Sequence, residues 1–367
     1  MNIKKVTLHL IEQSLLSPFV TSMGSVNVRE SIIVEVEDDE GTVGWGEVVA
    51  FSTPWYTEET IKTTWHMLED FILPSLLQTT IEHPATFQSI SQNIKRNNMA
   101  KASVETAIWD LYAKKQNLPL SDVIGGTREK IDSGVVVSIH TIDQVLRKIE
   151  SHLEEGYKRI KIKIKPGQDV KLLSQIRKEF PTVPLMADAN SAYTLNDIAR
   201  LKSLDEFELM MIEQPLGADD IVDHATLQQE ITTPVCLDES IVTLDDARKA
   251  IELGSCQMIN IKIGRVGGLS EAIQIHNLCK EKNVPVWCGG MLETGISRAH
   301  NIALASLANF TIPGDISASS RYWEKDIINP SVIVENGTIK VPREPGIGYE
   351  VNREHLRKIT KVSKTFE

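Results

Sequence analysis

The sequence predicts an α/β protein in which a parallel (β/α) barrel follows a separate α+β domain. Two observations predict it. Residues 1–125 run strands first and helices after, the order of an α+β unit. From about residue 130, short β-rich runs alternate with helical stretches at a near-constant spacing, as repeated βα units do when they close into a barrel. A chain of 367 residues is long enough for both.

The α+β unit starts with Val6, Leu8 and Leu10 alternating with Thr7 and His9, which predicts a strand. Ser17 to Gly24 reads as an irregular loop. Ile32–Val36 and Val43–Val49, joined by the turn Asp38-Asp39-Glu40-Gly41, predict two more strands. Residues 57–116 read as helical: Trp65, Leu68 and Ile72 keep helical spacing, as do Val104, Ala107, Ile108 and Leu111. Pro119 and Gly125-Gly126 punctuate the end.

The barrel runs end, in order, on Ser138, Lys163, Asp188, Glu213, Asp238, Lys262, Cys288 and Asp315. The first six recur every 24 or 25 positions, one strand plus one helix each. After about residue 325 the alternation stops. Residues 332–341 read as a hairpin around Asn336-Gly337, and the tail is expected to return to the first domain. The expected domains are 1–125, 126–325 and the C-terminal segment 326–367.

Lys plus Arg number 39 and Asp plus Glu 50, a net charge of −11 without a dense basic stripe, which argues against a nucleic-acid partner. No apolar run approaches the roughly 18 residues of a membrane span, and no leader peptide is apparent. Cys236, Cys256, Cys279 and Cys288 form no C-x-x-C pair. Reduced, buried thiols in a cytoplasmic protein are expected. A small-molecule carboxylate is the expected partner, met by a homo-oligomer.

The barrel predicts the chemistry, because active sites of this architecture lie at the C-terminal strand ends. Three consecutive strands end in Asp188, Glu213 and Asp238, flanked by strands ending in Lys163 and Lys262. An all-oxygen set suits Mg²⁺ first and Mn²⁺ second. Such an ion stabilises a carboxylate whose α-carbon has lost a proton. Lys163 and Lys262 can flank the substrate as bases. A like charge such as Lys161, together with the metal, is expected to lower a lysine pKa. Lys161 orients either the substrate carboxylate or Lys163. Asn190 and Glu239 follow metal ligands and are expected to position them, with loop capping an equal reading for Asn190. The bland rival for the whole set is a buried salt-bridge network. His140 and His300 are read as core or helix-face histidines, and Gly264–Gly268 as tight turns rather than a phosphate loop.

Nearly the whole chain resembles the enolase superfamily. Ala102–Leu111 resembles its signature helix before the barrel, Arg159–Lys163 its K-x-K strand, Asp188, Glu213 and Asp238 its metal ligands, and Lys262 its second lysine. The resemblance implies a modified TIM barrel, (β/α)7β, with an N-terminal α+β capping domain completed by the C-terminal segment. Loops around Phe19–Gly24 and Ala50–Tyr56 would close over the substrate. The lysine pair points to the muconate-lactonising subgroup. Trp287-Cys288-Gly289-Gly290 lacks the seventh-strand histidine of mandelate-racemase-like members, and Gly314–Ser317 lacks the D-x-D of dipeptide epimerases. Gly289–Ile296, Ser17-Pro18-Phe19, Trp45-Gly46-Glu47 and Pro345–Gly348 are similar to the o-succinylbenzoate synthase and N-acylamino acid racemase family.

That family implies Mg²⁺-dependent dehydration of 2-succinyl-6-hydroxy-2,4-cyclohexadiene-1-carboxylate to 2-succinylbenzoate, in menaquinone biosynthesis, with Lys163 as base and Lys262 as a cation. It implies substrate contacts at Lys161, Phe19, Gly290, Met291 and Leu292. Racemisation of N-succinylamino acids is the alternative, and Gly264-Arg265 agrees with it. Rivals of other classes are a Schiff-base lysine enzyme and a non-catalytic binding protein on the same barrel.

Overall fold

The structure is a computed structural model describing residues 1–21, 24–138 and 141–367. Ser22, Met23 and His140, named above, lie outside the described residues. The first unit holds β1 (Ile3–Thr21), β2 (Gly24–Asp38) and β3 (Val43–Val48), then the helix Asn98–Lys115 after several short helical turns. A short strand, β4 (Lys130–Asp132), precedes the barrel strands β5 (Gly134–Val137), β6 (Arg159–Lys163), β7 (Leu185–Asp188), β8 (Ile212–Glu213), β9 (Val235–Leu237), β10 (Met258–Ile261) and β11 (Val286–Cys288). The tail adds β12 (Ile328–Asn329), β13 (Thr338–Lys340), β14 (Glu350–Val351) and β15 (Thr360–Phe366).

Strands β15, β1, β2 and β3 make one antiparallel sheet, with Val6 opposite Phe366. The helix Asn98–Lys115 lies on this sheet, closest at Gly46. A Cβ there would stand 1.9 Å from the carbonyl oxygen of Ser103, so glycine sets the distance of approach. The same helix reaches the barrel. Glu105 accepts from the amides of Leu269 and Ser270, at 2.7 and 2.9 Å. These are the orphan donors of the barrel helix Leu269–Glu281. This gives a physical reason for the Ala102–Leu111 pattern.

Strands β5 to β11 form a seven-stranded parallel sheet in sequence order. The eighth run is not a regular strand, because Pro313 offers no amide to a ladder. It closes the seam by single bonds: Gly134 N donates to Gly314 O at 2.8 Å, and Asp315 N to Cys288 O at 2.9 Å. Inside the barrel, Met186, Met211, Cys236 and Trp287 pack into an apolar plug. All four cysteines are free and buried.

Two local expectations fail. Most of Ser17–Gly24 belongs to the β1–β2 hairpin rather than to a loop, and pairing resumes at Phe19 after a register shift following Ser14. That shift leaves Pro18 off the ladder, where a missing N–H costs nothing. The Asn336-Gly337 hairpin shrinks to one bridge, Glu335 to Thr338, and β13 pairs instead with β4. No helix among the described residues is long and apolar enough to cross a membrane.

Candidate active site

Parallel register builds the site. Lys163 pairs with Asp188 across β6 and β7, and Asp188 with Glu213 across β7 and β8. Glu213 pairs with Cys236, which sets Asp238 two residues further along, on the same face. At the end of β10, Asn260 and the next residue but one, Lys262, alternate onto that face as Lys161 and Lys163 do on β6. The result is a row of polar side chains above the apolar plug. Asp188, Glu213, Asp238 and Asn260 are all at most 1% exposed.

Charges this deep survive only in compensation. Lys161 Nζ lies 2.8 Å from Asp188 Oδ2, 2.5 Å from Glu213 Oε2 and 3.1 Å from Asp315 Oδ2. Lys163 Nζ donates to Asp188 Oδ2 at 2.7 Å and to Asn190 Oδ1 at 2.5 Å. Asn260 Nδ2 donates to both Glu213 Oε1 and Asp238 Oδ1, each at 2.9 Å. Lys262 Nζ donates to Asp238 Oδ2 at 2.8 Å and to the Tyr56 hydroxyl at 2.9 Å. Arg265 donates to Asp238 Oδ1, and Arg159 to Asp315 Oδ1 at 2.7 Å. Asn190 also donates from Nδ2 to Glu239 Oε1 at 3.1 Å and from its amide to Asp188 Oδ1 at 3.0 Å.

The titrations follow from this crowding. Burial opposes ionisation of Asp188, but Lys161 and Lys163 outweigh it and hold the carboxyl far below the usual range. Burial first, and then the charge of Asp188, push Glu213 up. Without a bound cation, Lys161 and Lys262 are both held above the ordinary lysine value. Burial pulls each down, yet Asp188 at Lys161 and Asp238 at Lys262 leave both above the ordinary value. The carboxylates are nearer than any like charge, so their attraction wins.

The donor set fits Mg²⁺ in kind: three carboxylates on adjoining strand ends, all oxygen. Glu213 Oε2 is buried without a hydrogen bond, since the nearby Lys161 ammonium is off its axis. As placed, no three acidic, histidine or cysteine side chains among the described residues are close enough to hold an ion in common. Lys161 lies between Asp188 and Glu213, and Asn260 bridges Glu213 and Asp238.

Above the row lies a pocket lined by Phe19, Phe51, Trp55, Tyr56, Val136, Met291, Leu292 and Tyr322, with Lys161, Lys163, Asn190, Lys262, Gly290, Glu293 and Asp315. The structure thus brings together Phe19, Gly290, Met291, Leu292 and the three lysines. Beside it, Gly289 leaves the room that Lys262 occupies, because a Cβ there would stand 2.6 Å from Lys262 Cε. His300 is a core residue with both ring nitrogens on carbonyls, Ile296 O and Thr106 O, each at 3.0 Å.

Several site residues escaped the sequence reading. Asn260 repeats in N-x-K the strand pattern of K-x-K, a signal that was available. Gln214 accepts from the amide of Asp238 at 2.9 Å and so fixes that strand end. Asp315 stood out only as a single acid in the eighth run, yet it contacts both Arg159 and Lys161. Tyr56 was only part of a capping loop.

Residues 144–355 match the family described as enolase C-terminal domain-like. Residues 5–125 match the mandelate racemase / muconate lactonizing enzyme N-terminal domain. The chain is 58% identical over 366 residues to an o-succinylbenzoate synthase of Geobacillus kaustophilus, covering 100% of this chain and 98% of that one. It is 44% identical over 361 residues to an N-succinylamino acid racemase of Thermus thermophilus, covering 98% of each. A solved enolase-superfamily protein of Listeria innocua superposes with a TM-score of 0.97 at 43% identity, covering 100% of this chain and 99% of that one.

Proposed function

This chain belongs to the enolase superfamily, in its mandelate racemase and muconate lactonizing enzyme branch, and on that premise we propose that it is an o-succinylbenzoate synthase. The reaction is dehydration of 2-succinyl-6-hydroxy-2,4-cyclohexadiene-1-carboxylate. The observation that carries the reading is the row of three carboxylates with a lysine at each end, set in the floor of a largely apolar pocket. Full-length likeness to synthases selects this reaction from those such a row can serve.

Asp188, Glu213 and Asp238 would hold Mg²⁺, or Mn²⁺ in its place, and Asn190 and Glu239 would keep the ligands oriented. The ion supplies positive charge for the substrate carboxylate while the adjacent carbon is deprotonated. Charge accounting supports this. Asp188, Glu213, Asp238, Asp315 and Glu239 formally cancel Arg159, Lys161, Lys163, Lys262 and Arg265, and Asn190 and Asn260 join all ten into one contact network. A divalent cation and a substrate bearing two carboxylates then enter as a neutral pair.

Lys163, after its ammonium gives up a proton to solvent, takes the proton from the carbon next to the carboxylate. The electron pair moves into the ring, the hydroxyl leaves from the neighbouring carbon, and the Lys163 ammonium returns its proton to it as water forms. Lys262 stays a cation beside the developing π-system. Lys161 remains charged between Asp188 and Asp315 and orients the substrate carboxylate. Phe19, Met291 and Leu292 exclude water, and Gly290 leaves space for the ring.

A second reading, racemisation of N-succinylamino acids, is favoured by the presence of both Lys163 and Lys262 in the pocket wall. There Lys262 would be the second acid and base. We take the capping unit as 1–125 with 326–367 and the barrel as 126–325. The setting is cytoplasmic, in keeping with four free thiols, and the chain acts as a homo-oligomer, which sedimentation tests. The function is tested by incubating purified protein with the cyclohexadiene and Mg²⁺ and following 2-succinylbenzoate by absorbance. Formation only with the metal is expected, and no product with the metal present would overturn the reading.

A further inference from the structure

We propose that Arg29 is a positioning residue that governs substrate binding by holding the two apolar walls of the pocket, one from each unit, in register. The inference rests on the synthase reading for its substrate and adds a residue to which that reading gives no role.

Arg29 lies on β2 and is 2% exposed. Among the described residues no carboxylate forms an ion pair with it. Its donors go to backbone carbonyls instead. Nη1 donates to Glu30 O and Ala50 O, each at 2.6 Å, and Nη2 to Val49 O at 2.7 Å. Nε donates across the unit boundary to Leu292 O at 3.4 Å. The guanidinium also lies over the Phe51 ring, 4.5 Å from its centroid. Glu47, Glu293 and Glu30 act on the guanidinium only at a distance, and burial outweighs them; a buried cation with no direct ion pair is costly. Carbonyls of several segments gathered on one group require the forked donors of arginine.

The segments tied together are the walls of the pocket. Phe51 lines it from the capping unit, and Met291 and Leu292 line it from the barrel. Leu292 has a left-handed backbone, φ 55°, which a branched residue holds only with outside support. That support comes from the capping unit at two points of opposite charge. Arg29 takes the carbonyl of Leu292, while Glu47 accepts from the amide of Thr294 at 2.9 Å and its hydroxyl at 2.7 Å. Arg29 touches none of the three carboxylates or the lysines, so its loss displaces the walls and leaves the row intact.

The test measures KM and kcat for the synthase reaction, Mn²⁺ affinity by electron paramagnetic resonance, and melting temperature. Arg29→Lys keeps the charge but not the fork. Glu105→Gln is the control, because it weakens another contact between the units, away from the pocket. For Arg29→Lys we expect KM to rise about tenfold or more, kcat to change less than about threefold, and Mn²⁺ affinity to hold. Glu105→Gln lowers the melting temperature with KM unchanged. An active Arg29→Lys enzyme with wild-type KM overturns the inference, as does a KM rise matched by the control. If Arg29→Lys does not fold, hydrogen exchange on the wild-type enzyme decides. Saturating 2-succinylbenzoate must protect residues 49–56 and 290–294 together, and protection of one segment alone overturns the inference. Absence of synthase activity in the wild type would overturn the synthase reading itself, an outcome distinct from unchanged KM in an active variant.

Discussion

Lys163 and Lys262 stand at opposite ends of one row of carboxylates, the first 2.7 Å from Asp188 Oδ2 and the second 2.8 Å from Asp238 Oδ2. Both line the same pocket. On the proposed reading, a carbon bound between them would meet one amine on each face, the arrangement that two-base chemistry requires.

Exchange at Cα of N-succinylamino acids in deuterium oxide reads this directly. The wild-type protein should exchange both enantiomers. Lys163→Ala should retain exchange with one enantiomer only, and Lys262→Ala with the other. Proton NMR measures both, and a single-lysine variant that exchanges both enantiomers would contradict a two-faced site.

Asn260 bridges Glu213 and Asp238 with one amide nitrogen. Asn260→Ala removes the donor that orients two proposed ligands at once. Mn²⁺ or Mg²⁺ affinity should weaken by roughly 10- to 100-fold, measured by titration calorimetry, while the fold persists. Unchanged affinity would show that the carboxylates orient themselves.

Stability should depend on pH through His152. Burial first, then Arg321 and Lys148, depress its pKa to about 4. Arg321 Nη1 lies 3.1 Å from Nε2, a contact that favours the neutral ring. Tyr157 packs against the ring, and the exposed Glu155, 3.5 Å from Nδ1, is too solvated to reverse the balance. The unfolded chain takes up the proton near pH 6.5, whereas the folded chain resists until about pH 4. The contribution is therefore full above pH 6.5 and lost as pH falls toward 4, roughly 3 kcal/mol in all. Urea unfolding of His152→Gln should show a flatter profile across that window. An unchanged slope would contradict the assignment.

Gly46→Ala should destabilise the capping unit by about 1–3 kcal/mol or more. The new Cβ would meet the Ser103 carbonyl, which is helix backbone and cannot move aside alone. Chemical denaturation measures the loss, and wild-type stability would mean that the helix sits further from β3.

The barrel and the carboxylate row were legible because one βα unit recurs at a fixed length, so residues one repeat apart reach the same height in the sheet. The seam was less legible. Pro313 and Gly314 break the ladder, and closure depends on bonds such as Gly134 N to Gly314 O that no local pattern announces. Pro18 and Gly24 suggested a loop where a register shift lets the hairpin continue. Asn190, Ser191, Gln214 and Leu292 adopt left-handed backbones at φ 42°, 62°, 39° and 55°. They are not glycines, and only tertiary contacts around the site hold them there. The upward pull of Asp238 on Lys262 was not legible for a related reason: the sequence shows like charges two residues apart, while the distance to Asp238 exists only in the fold.

The most direct test of the central claim is turnover of the cyclohexadiene by Lys163→Ala in saturating Mg²⁺, with Mn²⁺ affinity measured on the same sample. A loss of kcat of about 10³-fold or more, with metal affinity and fold retained, is the predicted result. Near-wild-type turnover by a folded, metal-binding variant would contradict it.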